Sequence, residues 1–180
     1  MAETVSSLLT PWSNFYIMAG SSAAALTGLM FVVITLVAGR ERSQGSQDGI
    51  STFSTPTVLH FCVALLVSAL LLAPWRSLIH PDALVGLVGL LGVAYLVRLA
   101  LLTRRLTQYT PDLSDWAWYT VLPFIAYGAL LLGAISLAVN PAGSLFAIAG
   151  GVLLLIFIGI RNAWDVVTFL ATGGADQEPK

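Results

Sequence analysis

Seven residues carry most of the chemistry this chain could perform: His60, Arg98, Tyr119, Thr120, Arg161, Asn162 and Asp165. Each interrupts or borders a long aliphatic stretch. Counted at about 1.5 Å of rise per helical residue, they fall at one depth, about a turn from the same side of a membrane. A layer of polar groups at one level can select or gate ions in a pore. Arg98 and Arg161 would favour anions there, and Asp165 would moderate them. His60 as a base, oriented by the Asp165 carboxylate, is the enzymatic alternative. Asp165 follows Arg161 by four residues and Asn162 by three, so all three share a helical face. Ionisable groups in lipid cost roughly 2.5–3.5 kcal/mol each on insertion scales, and pairing offsets that cost. Arg161 with Asp165 is the first expected pair; Asp165 with Arg98 or with His60 would tie separate helices together. A purely topological account competes. Arginines near helix C-termini match the helix dipole and can extend to the headgroups.

The elements that hold these residues follow from composition. The chain has 180 residues, of which 57% are hydrophobic and 9% charged. An average soluble domain has about 25% charged residues. Eight basic and nine acidic side chains cannot cover such a body with a water-soluble surface, so lipid is the solvent for most of it. A net charge of −1 gives no footprint for nucleic acid. The single cysteine, Cys62, excludes an intramolecular disulfide and a cysteine-cluster metal site. Two histidines, His60 and His80, argue against a histidine-rich one, and no cofactor is expected. No phosphate-binding glycine loop, nucleophile elbow or HExxH motif occurs, which weighs against an enzyme.

A bilayer core needs roughly 20 apolar helical residues. Five stretches qualify, over about 15–38, 56–73, 82–102, 116–139 and 144–170. They predict an all-α, polytopic transmembrane bundle forming a single domain over 1–172, with a disordered tail over 173–180. Thr55 reads as the N-cap of the second span and Pro56 as its first residue. The first span lacks the basic leader of a signal peptide and is too long for one. Arg40, Arg42, Arg98, Arg104, Arg105, Arg161 and Lys180 lie on one side of this arrangement, and only Arg76 on the other. The positive-inside rule then places the N-terminus outside and the C-terminus inside.

Close packing rather than hydrophobic drive holds helices together in lipid. Gly20, Ala24 and Gly28 form a small-residue stripe on the first span; Gly151, Gly159 and Ala163 form one on the fifth. Pro123 predicts a kink in the fourth. Thr57-Val58-Leu59-His60-Phe61 resembles Thr120-Val121-Leu122-Pro123-Phe124, and each threonine is followed at 41 residues by an arginine, Arg98 or Arg161. This spacing suggests one helix plus two parallel hairpins. Chance similarity between Leu/Val/Ala-rich helices is the competing account.

The words Thr55-Pro56-Thr57-Val58-Leu59-His60-Phe61 and Gly159-Ile160-Arg161-Asn162-Ala163-Trp164-Asp165 resemble those of uncharacterised small multipass proteins of bacterial inner membranes. The resemblance implies a bacterial plasma membrane and implies no activity. Three functions remain open: a homo-oligomeric channel or transporter, an accessory subunit packed against other membrane subunits, or an enzyme on a lipid-soluble substrate. The charge bias makes the first prediction. Reporter fusions at Ser46, Thr110 and Lys180 should read cytoplasmic, and those at Ala2, Ile79 and Ala142 external. A cytoplasmic signal at Ala142 would sink the five-span arrangement.

Overall fold

The computed structural model describes residues 2–44, 50–103 and 116–172, and every described element is helical. A short α1 (Ala2–Leu9) leads through a 3-10 turn, Thr10–Trp12, into α2 (Ser13–Gln44). Then come α3 (Ile50–Leu72) and α4 (Ile79–Thr103). A π-helical turn, Ala117–Val121, opens α5 (Leu122–Ser136), and α6 (Pro141–Thr172) completes the bundle. Four stretches, Ser7–Thr35, Ile79–Leu99, Ala117–Ser136 and Pro141–Asp165, are long and apolar enough to cross a membrane. The apolar part of α3, Thr57–Leu72, is shorter. Large apolar side chains such as Phe31, Leu132, Ile135 and Phe146 face outward, as a lipid solvent allows. Among the described residues the protein is all-helical, and its four long apolar helices are those of a multipass membrane protein.

The central element is α6. Its Leu145, Ile148, Val152, Leu155 and Ile158 recur at spacings of three and four and are buried as one stripe. That stripe packs against α5 and α3, while α4 packs on α5 and α2 on α3. Asn140 caps α6: its Oδ1 accepts from the Gly143 N–H at 3.2 Å, and its carbonyl accepts from the Ser144 N–H at 3.0 Å. Pro141 takes the first helical position, where no N–H is needed. At the end of the bundle where the chain begins, aromatic rings fasten the helices. Trp12 meets Phe146 edge-on at 4.8 Å, and Trp75 stacks on His80 at 5.9 Å.

Bare backbone sets the tightest contact, α4 against α5. A Cβ built at Gly89 would lie 2.7 Å from the Leu131 backbone nitrogen, and one at Gly92 would enter the Tyr127 ring. Gly86 faces the Ala134 methyl at 3.3 Å by the same measure. The glycines rise along α4 as their partners descend along α5, so the two helices run antiparallel. Gly159 opens a similar seat on α6 for the Phe61 ring of α3.

Several expectations need correction. The second apolar helix does not start at a Thr55 cap: α3 begins at Ile50, and Pro56 lies inside it. A proline there removes one backbone hydrogen bond near the helix start without ending the helix. The first long helix also runs past its expected end near 38, because α2 continues to Gln44. The two proposed hairpins are built differently: α5 and α6 pack along their length, whereas α3 and α4 touch little. The disordered-tail expectation for 173–180 lies outside the described residues. Gly20 does meet a neighbour, Ser68 of α3, with 3.0 Å between its built Cβ and the serine Cβ. Ala24 and Gly28 face outward instead, and a Cβ at Gly28 would meet nothing within 4 Å. The stripe at residues 20, 24 and 28 therefore drifts off the packed face as α2 proceeds.

These seats predict opposite outcomes for two glycines. Gly92→Val forces atoms into the Tyr127 ring and should destabilise by about 1–3 kcal/mol or more. Gly28→Leu should leave the melting temperature of the detergent-solubilised monomer unchanged. A thermal melt monitored by size exclusion checks both, and equal losses would contradict the packing described.

Candidate functional site

The polar layer divides by burial. His60 and Asn162 are 2% and 1% exposed, and Thr57, which joins them, is fully buried. Arg98 lies on the exposed face of α4. Tyr119 and Thr120 are half-buried in the π-turn. Arg161 and Asp165 form an ion pair one helical turn apart, with side chains 38% and 34% exposed. The Arg161 guanidinium also lies 6.0 Å from the Trp118 ring centre, so α6 is held to the π-turn. A pair this exposed contributes about 0–1 kcal/mol. It fastens an edge of the bundle and is not a buried charge centre.

Asp165 therefore does not orient His60. The imidazole partner is Tyr127, whose hydroxyl lies 3.0 Å from Nδ1, with ring centres 5.8 Å apart. The tyrosine O–H donates to Nδ1 in one tautomer, and the Nδ1–H donates to the tyrosine oxygen in the other. Tyr127 was absent from the sequence-derived layer. Its signals were a phenol seven residues beyond Thr120 on the same helical face and a glycine run in the preceding helix to receive its ring. Tyr127 is fully buried because Gly92 has no side chain. Its phenol then reaches back along α5 to α3.

Asn162 sits deeper in the packing than its ionic neighbours on α6. Gly159, one turn earlier, seats Phe61, and Arg161 next to it meets Trp118. Asn162 thus follows Gly159 by one turn on the buried side of α6, and its neighbour Arg161 reaches the π-turn before α5. Neither Nδ2 nor Oδ1 has a hydrogen-bond partner among the described residues. Beside it, the helix that begins with the π-turn carries Pro123, which has no N–H to donate. π-turns of this kind are frequent at functional sites. The inner cluster thus comprises one imidazole, one phenol, one hydroxyl and one free carboxamide, with no formal charge. It can exchange hydrogen bonds with a small polar molecule. Among the described residues no group of three His, Cys, Asp or Glu side chains is placed to hold a metal.

The remaining polar and packing residues lie apart from these. The Thr35 hydroxyl donates to the Val32 carbonyl at 2.8 Å on the exposed side of α2, and Cys62 is exposed. Ala163 lines a shallow apolar groove with Leu26, Met30, Phe61 and Trp164, open between α2 and α6. Gly151 is a packing position, where a Cβ would approach the Ala126 carbonyl oxygen to 2.9 Å.

Fold and site together define a class: small, all-helical, multipass membrane proteins with an uncharged hydrogen-bonding centre buried between helices. No family model, no curated protein and no solved structure matches the chain.

The His60–Tyr127 bond supports a quantitative prediction. Removing one partner strands the other in an apolar interior and costs about 1–3 kcal/mol. Tyr127→Phe and His60→Leu should each destabilise by that amount. The double variant should recover part of the loss, giving a coupling of about 0.5 kcal/mol or more in a double-mutant cycle. Additive losses would mean that the two side chains do not bond.

Proposed function

We propose that the protein is a small transport protein of a bacterial inner membrane, five-spanning with its N-terminus outside, and assembled as a homo-oligomer. The observation that carries this reading is the set of buried polar residues, above all Asn162, whose two amide atoms have no hydrogen-bond partner among the described residues. An amide or hydroxyl moved from water to an apolar setting without a hydrogen bond costs about 1–3 kcal/mol on protein scales. A polar solute that binds there offsets this cost. The uncharged make-up of the cluster favours a carrier or pore that handles hydrogen-bonding molecules over one lined by charges. Assembly has its own support: Ser21, Ala24, Ala25 and Gly28 present small side chains on the exposed face of α2, where another helix can come close.

That same exposed face favours a second reading, an accessory subunit docked through α2 onto other membrane subunits. The two readings separate on purified protein. Reconstituted into liposomes, a transporter should raise the flux of at least one small polar solute well above that of empty vesicles, with Asn162→Leu abolishing the gain. Inert vesicles, together with stoichiometric partner chains after mild-detergent purification, would favour the accessory role.

A further inference from the structure

We propose that the Asn162 carboxamide is the recognition group of this centre, and that its ligand is a neutral planar molecule carrying a donor and an acceptor on one carbon. A primary amide, urea or a protonated carboxylic acid has that form. The inference deepens the transport reading and rests on it for the claim that the ligand crosses the membrane.

Three observations lead there. Asn162 is 1% exposed, and its donor and acceptor are both free among the described residues. A carboxamide presents Nδ2–H and Oδ1 side by side in one plane. A ligand that satisfies both must offer an acceptor and a donor at matching separation, as another amide or a carboxylic acid does. A chloride ion or a carboxylate could accept from Nδ2 but would place negative charge against Oδ1. A metal or ammonium cation would meet the converse conflict.

The surroundings agree. Thr57, His60 and Tyr127 are buried hydrogen-bonding groups of the neighbouring helices, 0%, 2% and 0% exposed, and none bears a fixed charge. Arg161 is already neutralised by Asp165 on the more exposed side of α6, and Arg98 points out of the bundle. No counter-charge for an ion is therefore buried at this level among the described residues. The π-turn at Ala117–Val121 adds a second, independent mark beside Asn162. Helices depart from α geometry in this way mostly where function requires it.

The test uses radiolabelled acetamide as the probe, with chloride as the ionic control. Binding is read on the detergent-solubilised full chain, and flux on proteoliposomes. Acetamide should bind to the native protein. Asn162→Leu should weaken that binding about tenfold or more, the equivalent of two ordinary hydrogen bonds. The same variant should melt at or above the native temperature, because it replaces two unpaired polar atoms with apolar packing. Asn162→Ala, which removes the carboxamide without adding volume, should lose binding as well, which guards against a Leu variant that fails to fold. Acetamide binding that depends on Asn162 supports the inference whether or not flux is seen; absent flux then counts against transport alone. Chloride flux without acetamide binding overturns the inference and leaves transport standing. If acetamide fails to bind and Asn162→Leu melts lower, the amide is satisfied by internal water, and the inference fails.

Discussion

The bundle depends on how closely α4 can approach α5. Where Gly89 and Gly92 face Leu131 and Tyr127, α4 supplies only backbone, and a single methyl group there would have no room. Without a strong hydrophobic force between helices in lipid, such van der Waals contact is a principal source of association. It also determines where a polar group goes. The Tyr127 ring occupies the space that the glycines vacate, and from there its hydroxyl meets His60 on α3. A packing constraint on one side of α5 thereby fixes a hydrogen bond on the other. α3 touches α4 little, so Tyr127 joins two helices that have few contacts of their own.

Burial sorts the polar residues into two kinds. Arg161 and Asp165 compensate each other where the bundle is still open to its surroundings, and the guanidinium leans over Trp118. Thr57, His60, Tyr127 and Asn162 are enclosed, and none of them carries a fixed charge. The expense of enclosing charge in an apolar interior explains this division. Neutral groups can be buried in pairs, as His60 and Tyr127 are. Asn162 stands out because its pairing is incomplete.

Much of the architecture was legible in the residues. Apolar length located the long helices, but the last one, expected from about 144, begins three residues earlier at Pro141, where the Asn140 cap starts it. The start of α3 was misplaced because a proline signals a helix boundary only statistically; Pro56 lies inside the helix instead. The site was legible in depth but not in rotation. Spacings of three and four show which residues share a face, yet nothing local says whether that face meets lipid or another helix. Arg98 and Asn162 could therefore not be separated, nor could Gly28 and Gly159. Tyr127 escaped notice for a related reason. A tyrosine in a membrane helix reads as an interfacial anchor until the bare backbone opposite it is known.

The π-turn at the start of α5 has a mechanical meaning. Accommodating one additional residue per turn shifts the helical phase by about 100° relative to an unbroken α-helix. Ala117–Val121 thus works like a rotary joint between the Trp118 contact and the body of α5. Beyond it, the orientation of α5 is dictated by Gly92 and the buried face of α6. At its start, Trp118 can take the angle that Arg161 requires without turning Tyr127 away from His60. The aromatic anchor and the enclosed cluster can each settle into their own best azimuth, and sequence drift in one need not be matched in the other.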